Sequence, residues 1–170
     1  MLSESARMSS AQEARYRVQY PNSIPRNIKV VALDEPSKAL VDEVSRQPWN
    51  NASFFTSLSF EGASPRPEDS SIKAWLSDIA GHTKDLIAEI DEADFVVMVA
   101  NAGEDAQGAS LIGEACQARN VTTIGLIVQT PETTEEDLSR TLGHMRPFAK
   151  MLVIATGRDY IEVMLTALRA

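Results

Sequence analysis

The chain has 170 residues, 44% hydrophobic and 24% charged, with a formal net charge of −8. That composition fits one soluble-type domain with apolar material for one sizeable core. The lone Cys116 excludes an internal disulfide, two histidines and one cysteine give no zinc signature, and no apolar run reaches the roughly 18–20 residues of a membrane span.

The charge is uneven. Residues 1–26 hold four arginines and two glutamates, +2, which leaves −10 on the remainder. An acidic body without a basic cluster repels nucleic acid and anionic membrane, so neither is an expected partner. Residues 1–26 lack the apolar stretch of a secretory leader, and the cytoplasm is the expected location. Polar, aperiodic and closed by Pro21, Asn22 and Pro25, they read as a flexible N-terminal arm able to order against a partner. Residues 27–170 read as a single α/β domain.

The domain opens with an apolar run at 28–33, a strand. Pro36 suits the first turn of the following helix, whose stripe is Leu40, Val41 and Val44 and which Pro48 ends. Residues 53–60 alternate, with Phe54, Thr56, Leu58 and Phe60 on one face, as in a half-buried strand at a sheet edge. A loop with Pro65 and Pro67 follows. Ile72, Leu76, Ile79, Leu86, Ile87 and Ile90 then predict a long helix, divided at Gly81. Residues 95–100 form the most apolar run, continuous rather than alternating, as in a central strand buried on both faces. A loop at 101–107 leads into a helix with Leu111, Ile112 and Ala115. Residues 122–128 are another buried strand. Thr133 or Thr134 caps a helix with Leu138, Leu142 and Met145, and Glu135, Glu136 and Asp137 complement its dipole. Residues 151–155 are the last strand and 160–168 the closing helix.

This alternation predicts a three-layer Rossmann-like α/β fold. It has a mostly parallel sheet of about five strands and helices on both faces. Ligands of such sheets sit beyond the carboxyl ends of the strands, where strand order reverses. The candidate ligand-binding residues are therefore Asp34 after the first strand, and Asn101, Gly103, Glu104, Gln107, Gly108 and Ser110 after the central one. The two glycines permit a tight turn and close approach, and the helix start offers N–H groups to an anion. Glu104 and Asp105 oppose phosphate and favour a cationic or hydroxyl-bearing ligand. Asp34 and Glu35 could bind a ribose or a metal, although helix capping is the commoner role for an aspartate there. Cys116 lies mid-helix with no neighbouring base, as a buried small residue does. His82 and His144 lie near helix ends, as surface residues do, and Trp49 and Trp75 suit packing. No catalytic residue, metal ligand or cofactor is assigned.

The stretch Ala93-Asp94-Phe95-Val96-Val97-Met98-Val99-Ala100-Asn101-Ala102-Gly103, continued by Gly108-Ala109-Ser110-Leu111-Ile112-Gly113-Glu114, resembles the nucleotide-binding domain of the tubulin/FtsZ GTPase family. Val121-Thr122-Thr123-Ile124-Gly125-Leu126-Ile127-Val128 looks like that family's next strand, and Lys29-Val30-Val31 like its first. The first glycine loop is replaced by Asp34-Glu35-Pro36-Ser37, and the phosphate loop by the shorter Glu104-Asp105-Ala106-Gln107. The resemblance implies a truncated form that binds GTP weakly or not at all and has lost the GTPase. The same strand, turn and helix resemble sugar-phosphate isomerase-type domains, without their phosphate-gripping serines. Three functions follow as expectations: a non-catalytic ligand-binding or regulatory module that self-associates; an enzyme acting on a small phosphorylated or carbonyl substrate; and an interaction module docking through its arm.

Overall fold

A computed structural model describes residues 24–57, 75–78 and 83–170 of the chain. The strands are β1 (Ile28–Ala32), β2 (Ala52–Thr56), β3 (Trp75–Asp78), β4 (Thr83–Asp85), β5 (Phe95–Asn101), β6 (Thr122–Val128) and β7 (Met151–Ala155). The helices are α1 (Glu35–Ser45), α2 (Leu86–Asp91), α3 (Gly108–Ala118), α4 (Glu135–Met145) and α5 (Asp159–Ala167). One sheet runs in the order β4-β3-β2-β1-β5-β6-β7. Its five strands β2, β1, β5, β6 and β7 are mutually parallel. β3 and β4 add an antiparallel flank.

The inner parallel strands β1, β5 and β6 are buried because helices cover both faces. In β5, Val96 to Ala100 are each at most 1% exposed, as expected for the central apolar run. One layer joins Val30, Val97, Val99 and Leu126 to Val41 and Val44 of α1 and to Ile161 and Leu165 of α5. The other joins Val31, Met98 and Ile127 to Ile90 of α2, Ile112 of α3 and Met145 of α4. Local chemistry fixes the helix starts. Thr134 accepts from the Asp137 amide at 3.1 Å, and its hydroxyl donates to the Asp137 carboxylate at 2.7 Å. Asp85 accepts from Ile87 N at 2.9 Å and starts α2.

Two expectations are corrected. Residues 75–78 and 83–85 are strands, not parts of a long helix, and among the described residues of that pattern the helix is Leu86–Asp91. Four- and three-residue strands are too short to show a period of two, and the apolar spacing on either side mimics a helical stripe. β2 is an interior strand rather than an edge. β3 pairs on its outer side, and Phe54 and Phe55 are both buried, in opposite layers. The alternation of polar and apolar residues was misleading there because buried Thr56 and Ser57 take hydrogen-bonded interior positions. Leu58, Phe60, Pro65, Pro67, Gly81, His82 and the arm up to residue 23 lie outside the described residues.

The amino edge of the sheet is held by charge. Lys29, 5% exposed, pairs with Glu89 of α2 at 2.9 Å and lies over the Phe55 ring. Trp49 packs as expected: its indole donates to Val44 O at 2.9 Å, and its ring tilts against Phe54.

Candidate functional site

β1 is the point where strand order reverses, since β2 lies on one side of it and β5 on the other. From the carboxyl end of β1, α1 departs to one layer, and from that of β5, α3 departs to the other. The two loops diverge, and the crevice between them is where parallel sheets of this kind receive ligands. β5 outlasts its pairing with β1, which ends at Ala32↔Val99, so Asn101 projects beyond it.

Asp34 stands in the crevice. One oxygen accepts from Ser37 N at 2.7 Å and caps α1; the other accepts from Asn101 N at 2.8 Å. One carboxylate thus ties a helix start to the end of a strand 67 residues away. It is 5% exposed. Burial pushes its pKa above the ordinary 3.8, the bonds from Ser37 and Asn101 oppose that rise, and the charge of Glu104 adds to it.

The two residues whose amides bind it each carry a buried side-chain atom without a hydrogen-bond partner, Ser37 Oγ and Asn101 Oδ1. The Ser37 hydroxyl, a donor as well as an acceptor, lies close enough to Asp34 to lower its pKa. A third such atom, Asn27 Oδ1, lies before β1 at the opposite edge of the sheet. Buried polar atoms are nearly always satisfied, and two orphans on residues that one carboxylate ties together are a departure that a ligand or an ordered water would repair.

The loop after β5 is built to stay in place. Glu104 N donates to Asn101 O at 3.1 Å, closing a turn in which Gly103 has φ +93°. That left-handed value favours glycine. The Gly103 amide donates to Thr141 Oγ1 of α4 at 2.9 Å, and the Thr141 hydroxyl donates to Asp137 O. Asp105 accepts from Gln107 N at 2.9 Å, and Ala109 N and Ser110 N close on Ala106 O and Gln107 O. The start of α3, expected to offer its amides to an anion, has spent these three within the chain.

The sequence candidates therefore divide. Asp34 and Asn101 meet in the crevice, with Gly103 and Glu104 in the adjoining turn. Gln107 and Ser110 line a separate open groove of about 380 Å³ together with Ala106, Gly143, His144 and Phe148. Gly108 was expected to face a ligand. A Cβ there would instead meet Ser57 Oγ at 3.0 Å and Leu33 at 3.4 Å, so this glycine seats α3 on the ends of β1 and β2. Sequence reasoning marks Ser37 only as part of the loop after the first strand, and misses Ser57 and Thr141. Thr141 had a signal: it is a polar residue beside the apolar stripe of half-buried Leu138 and Leu142 and buried Met145. Ser37 had none beyond lying three residues after a cap. Cys116 is buried and its thiol is pushed up to about 12 by desolvation, an unreactive core residue. Among the described residues no group of three or more His, Cys, Asp or Glu could hold a metal ion, and no helix is long and apolar enough to cross a membrane.

No protein-family model matches the chain, and no curated protein matches it. Among solved structures it is similar to translation elongation factor SelB from Methanococcus maripaludis in its apo form. The identity is 13% and the TM-score 0.46, over 85% of this chain. The chain spans 37% of the length of that structure.

Proposed function

We propose that the chain is a non-catalytic small-ligand-binding or regulatory module whose site is the crevice between β1 and β5. The observation that carries this reading is the pair of buried, unpartnered side-chain atoms, Ser37 Oγ and Asn101 Oδ1, on the two residues whose amides bind the buried Asp34 carboxylate at the strand-order reversal. Folding tolerates such unpaired groups where function uses them. The resemblance to the tubulin/FtsZ nucleotide-binding domain supports a site of nucleotide type in the same place. The glycine loops that would wrap phosphate are absent from this sequence, and the ligand is correspondingly not GTP. A cytoplasmic location belongs to the same proposal and rests on the sequence.

The test is a titration of the isotope-labelled chain followed by amide NMR, with GTP, nucleosides, sugars, sugar phosphates and small amines. Binding at this crevice moves the amides of Ser37, Asn101 and Gly103 first, and GTP leaves them in place. Perturbations centred on the groove lined by Gln107 and His144, or no perturbation by any of these probes, would sink the reading.

A second reading, self-association, is favoured by one feature. β7 is an edge strand with Met151 and Ile154 exposed, and α5 beside it exposes Tyr160 and Val163. An apolar edge strand left open invites pairing with another copy. Light scattering of the full chain is expected to give a dimer, and Ile154→Lys a monomer. A monomer for the unaltered chain at micromolar concentration would dispose of this reading.

A further inference from the structure

β7 ends the sheet, and among the described residues no strand lies on its outer side. Its two exposed apolar residues belong to opposite faces. Ile154 shares the side of Leu152, which packs in the layer of α4, and Met151 the side of Val153, which packs in the layer of α5. A helix laid on one face would cover one of them and leave the other bare. A strand added at the edge meets both faces and also pairs the open backbone groups.

The sequence outside the described residues holds a segment of that kind. Arg15-Tyr16-Arg17-Val18-Gln19-Tyr20 alternates, with Tyr16, Val18 and Tyr20 on one side and Arg15, Arg17 and Gln19 on the other, and Pro21 bounds it. Residues 1–26 carry +2 against −10 on the remainder. The first turns of α4 and α5 hold Glu135, Glu136, Asp137, Asp159 and Glu162. Those helices follow β6 and β7, so the acids stand at the carboxyl edge of the sheet, next to the end of β7. The cations among them are engaged, Arg140 with Asp137 and Arg158 with Glu43 and Asp159. A strand antiparallel to β7 brings Arg15 and Arg17 toward this edge and leaves Tyr20 near Met151.

The tether decides whose segment it is. Arg26 is fixed just before β1, where its amide donates to Arg169 O at 2.9 Å. From β1 to a place outside β7 there are four strand spacings, about 19 Å. The stretch from Pro21 to Arg26 spans about 20 Å when fully extended. A chain would reach its own β7 only drawn taut, whereas the segment of a second copy is under no such limit. We propose that residues 15–20 of one copy add to β7 of another as an antiparallel strand. This rests on the reading that the chain self-associates through β7, and it names what fills that edge in place of a direct contact between two β7 strands.

Sedimentation of the full chain tests the exchange, with Arg17→Pro and Val18→Pro made separately. Consecutive residues of a strand turn their N–H groups to opposite sides, so one of the two substitutions removes a bond to β7. That variant should keep the circular dichroism of the unaltered chain and weaken the dimer by roughly tenfold or more in Kd. Cross-linking gives a second readout. A Val18→Cys chain mixed with a Val153→Cys chain and oxidised should yield a covalent pair, and Cys116, buried with its thiol pushed up to about 12, stays out of the reaction. A dimer that survives both prolines but is lost in Ile154→Lys would overturn the exchanged strand and leave self-association through β7 standing. Cross-linking only within one chain, in a variant carrying both cysteines, would also overturn the exchange. An unaltered chain that sediments as a monomer overturns both.

Discussion

Asp34→Ala is expected to cost the fold about 2–4 kcal/mol. Loss of an N-cap side chain costs about 0.5–2 kcal/mol, and a second buried N–H left without an acceptor about 1–3 kcal/mol. The stranded groups are Ser37 N and Asn101 N. Release of a desolvated carboxylate offsets part of that sum. For a domain of this size the midpoint should fall by roughly 4–16 °C. Asp34→Asn should lie between, since its amide oxygen still caps α1 while its NH₂ meets the Asn101 N–H head on. The carboxyl also leaves a signature in pH. Burial raises its pKa in the fold above 3.8. The folded state therefore binds the Asp34 proton more tightly than the unfolded state does. The stability it contributes is fully present below pH 3.8 and declines as pH rises through the raised folded value. Urea denaturation at stepped pH should show the advantage of the unaltered chain over Asp34→Asn shrinking through that window. An advantage that grows with pH would mean that the two N–H bonds outweigh burial.

The same glycine-to-alanine change should have opposite signs at two helical positions. At Gly113 in α3 a Cβ would fall on the Phe148 side chain, closer than any real contact. α3 or the turn after α4 must then move. Overpacking of this kind costs about 1–3 kcal/mol, occasionally more. Better helix propensity returns up to about 1 kcal/mol. Gly113→Ala should be destabilising by about 1–3 kcal/mol, and Gly113→Val by more. At Gly143 in α4 a Cβ meets nothing within 4 Å, and Gly143→Ala should stabilise by up to about 1 kcal/mol. Denaturation midpoints of the two variants decide the matter. Equal effects at both sites would mean that α3 can slide away from Phe148 freely.

What was legible in the sequence follows from the range of each interaction. The run Phe95-Val96-Val97-Met98-Val99-Ala100 announces its own burial, because a strand covered on both faces has no polar side to show. Thr134 with three acids behind it announces a helix start for equally local reasons. β3 and β4 could not be read this way. They exist through pairing with β2 and with each other, at Thr56↔Ser77 and Leu76↔Lys84, and each is too short to carry a pattern. The candidate site shows the same division. Asp34 as a cap is a local fact, whereas its bond to Asn101 depends on two strands meeting across 67 residues of chain. Gly108 was legible as a close approach but not as an approach to Ser57, which lies in another strand's loop.

The reversal of strand order at β1 also has a consequence for synthesis on the ribosome. Residues 28–32 are wholly buried, and β1 is flanked in the finished sheet by β2 and β5. β2 emerges soon after it, but Phe95, the partner of Ile28, emerges 67 residues later. At about 5–20 residues per second the nascent chain carries that apolar strand half-paired for roughly 3–13 s. The first half of the polypeptide therefore cannot settle before the second half arrives, and that interval is when a chaperone would be expected to hold it.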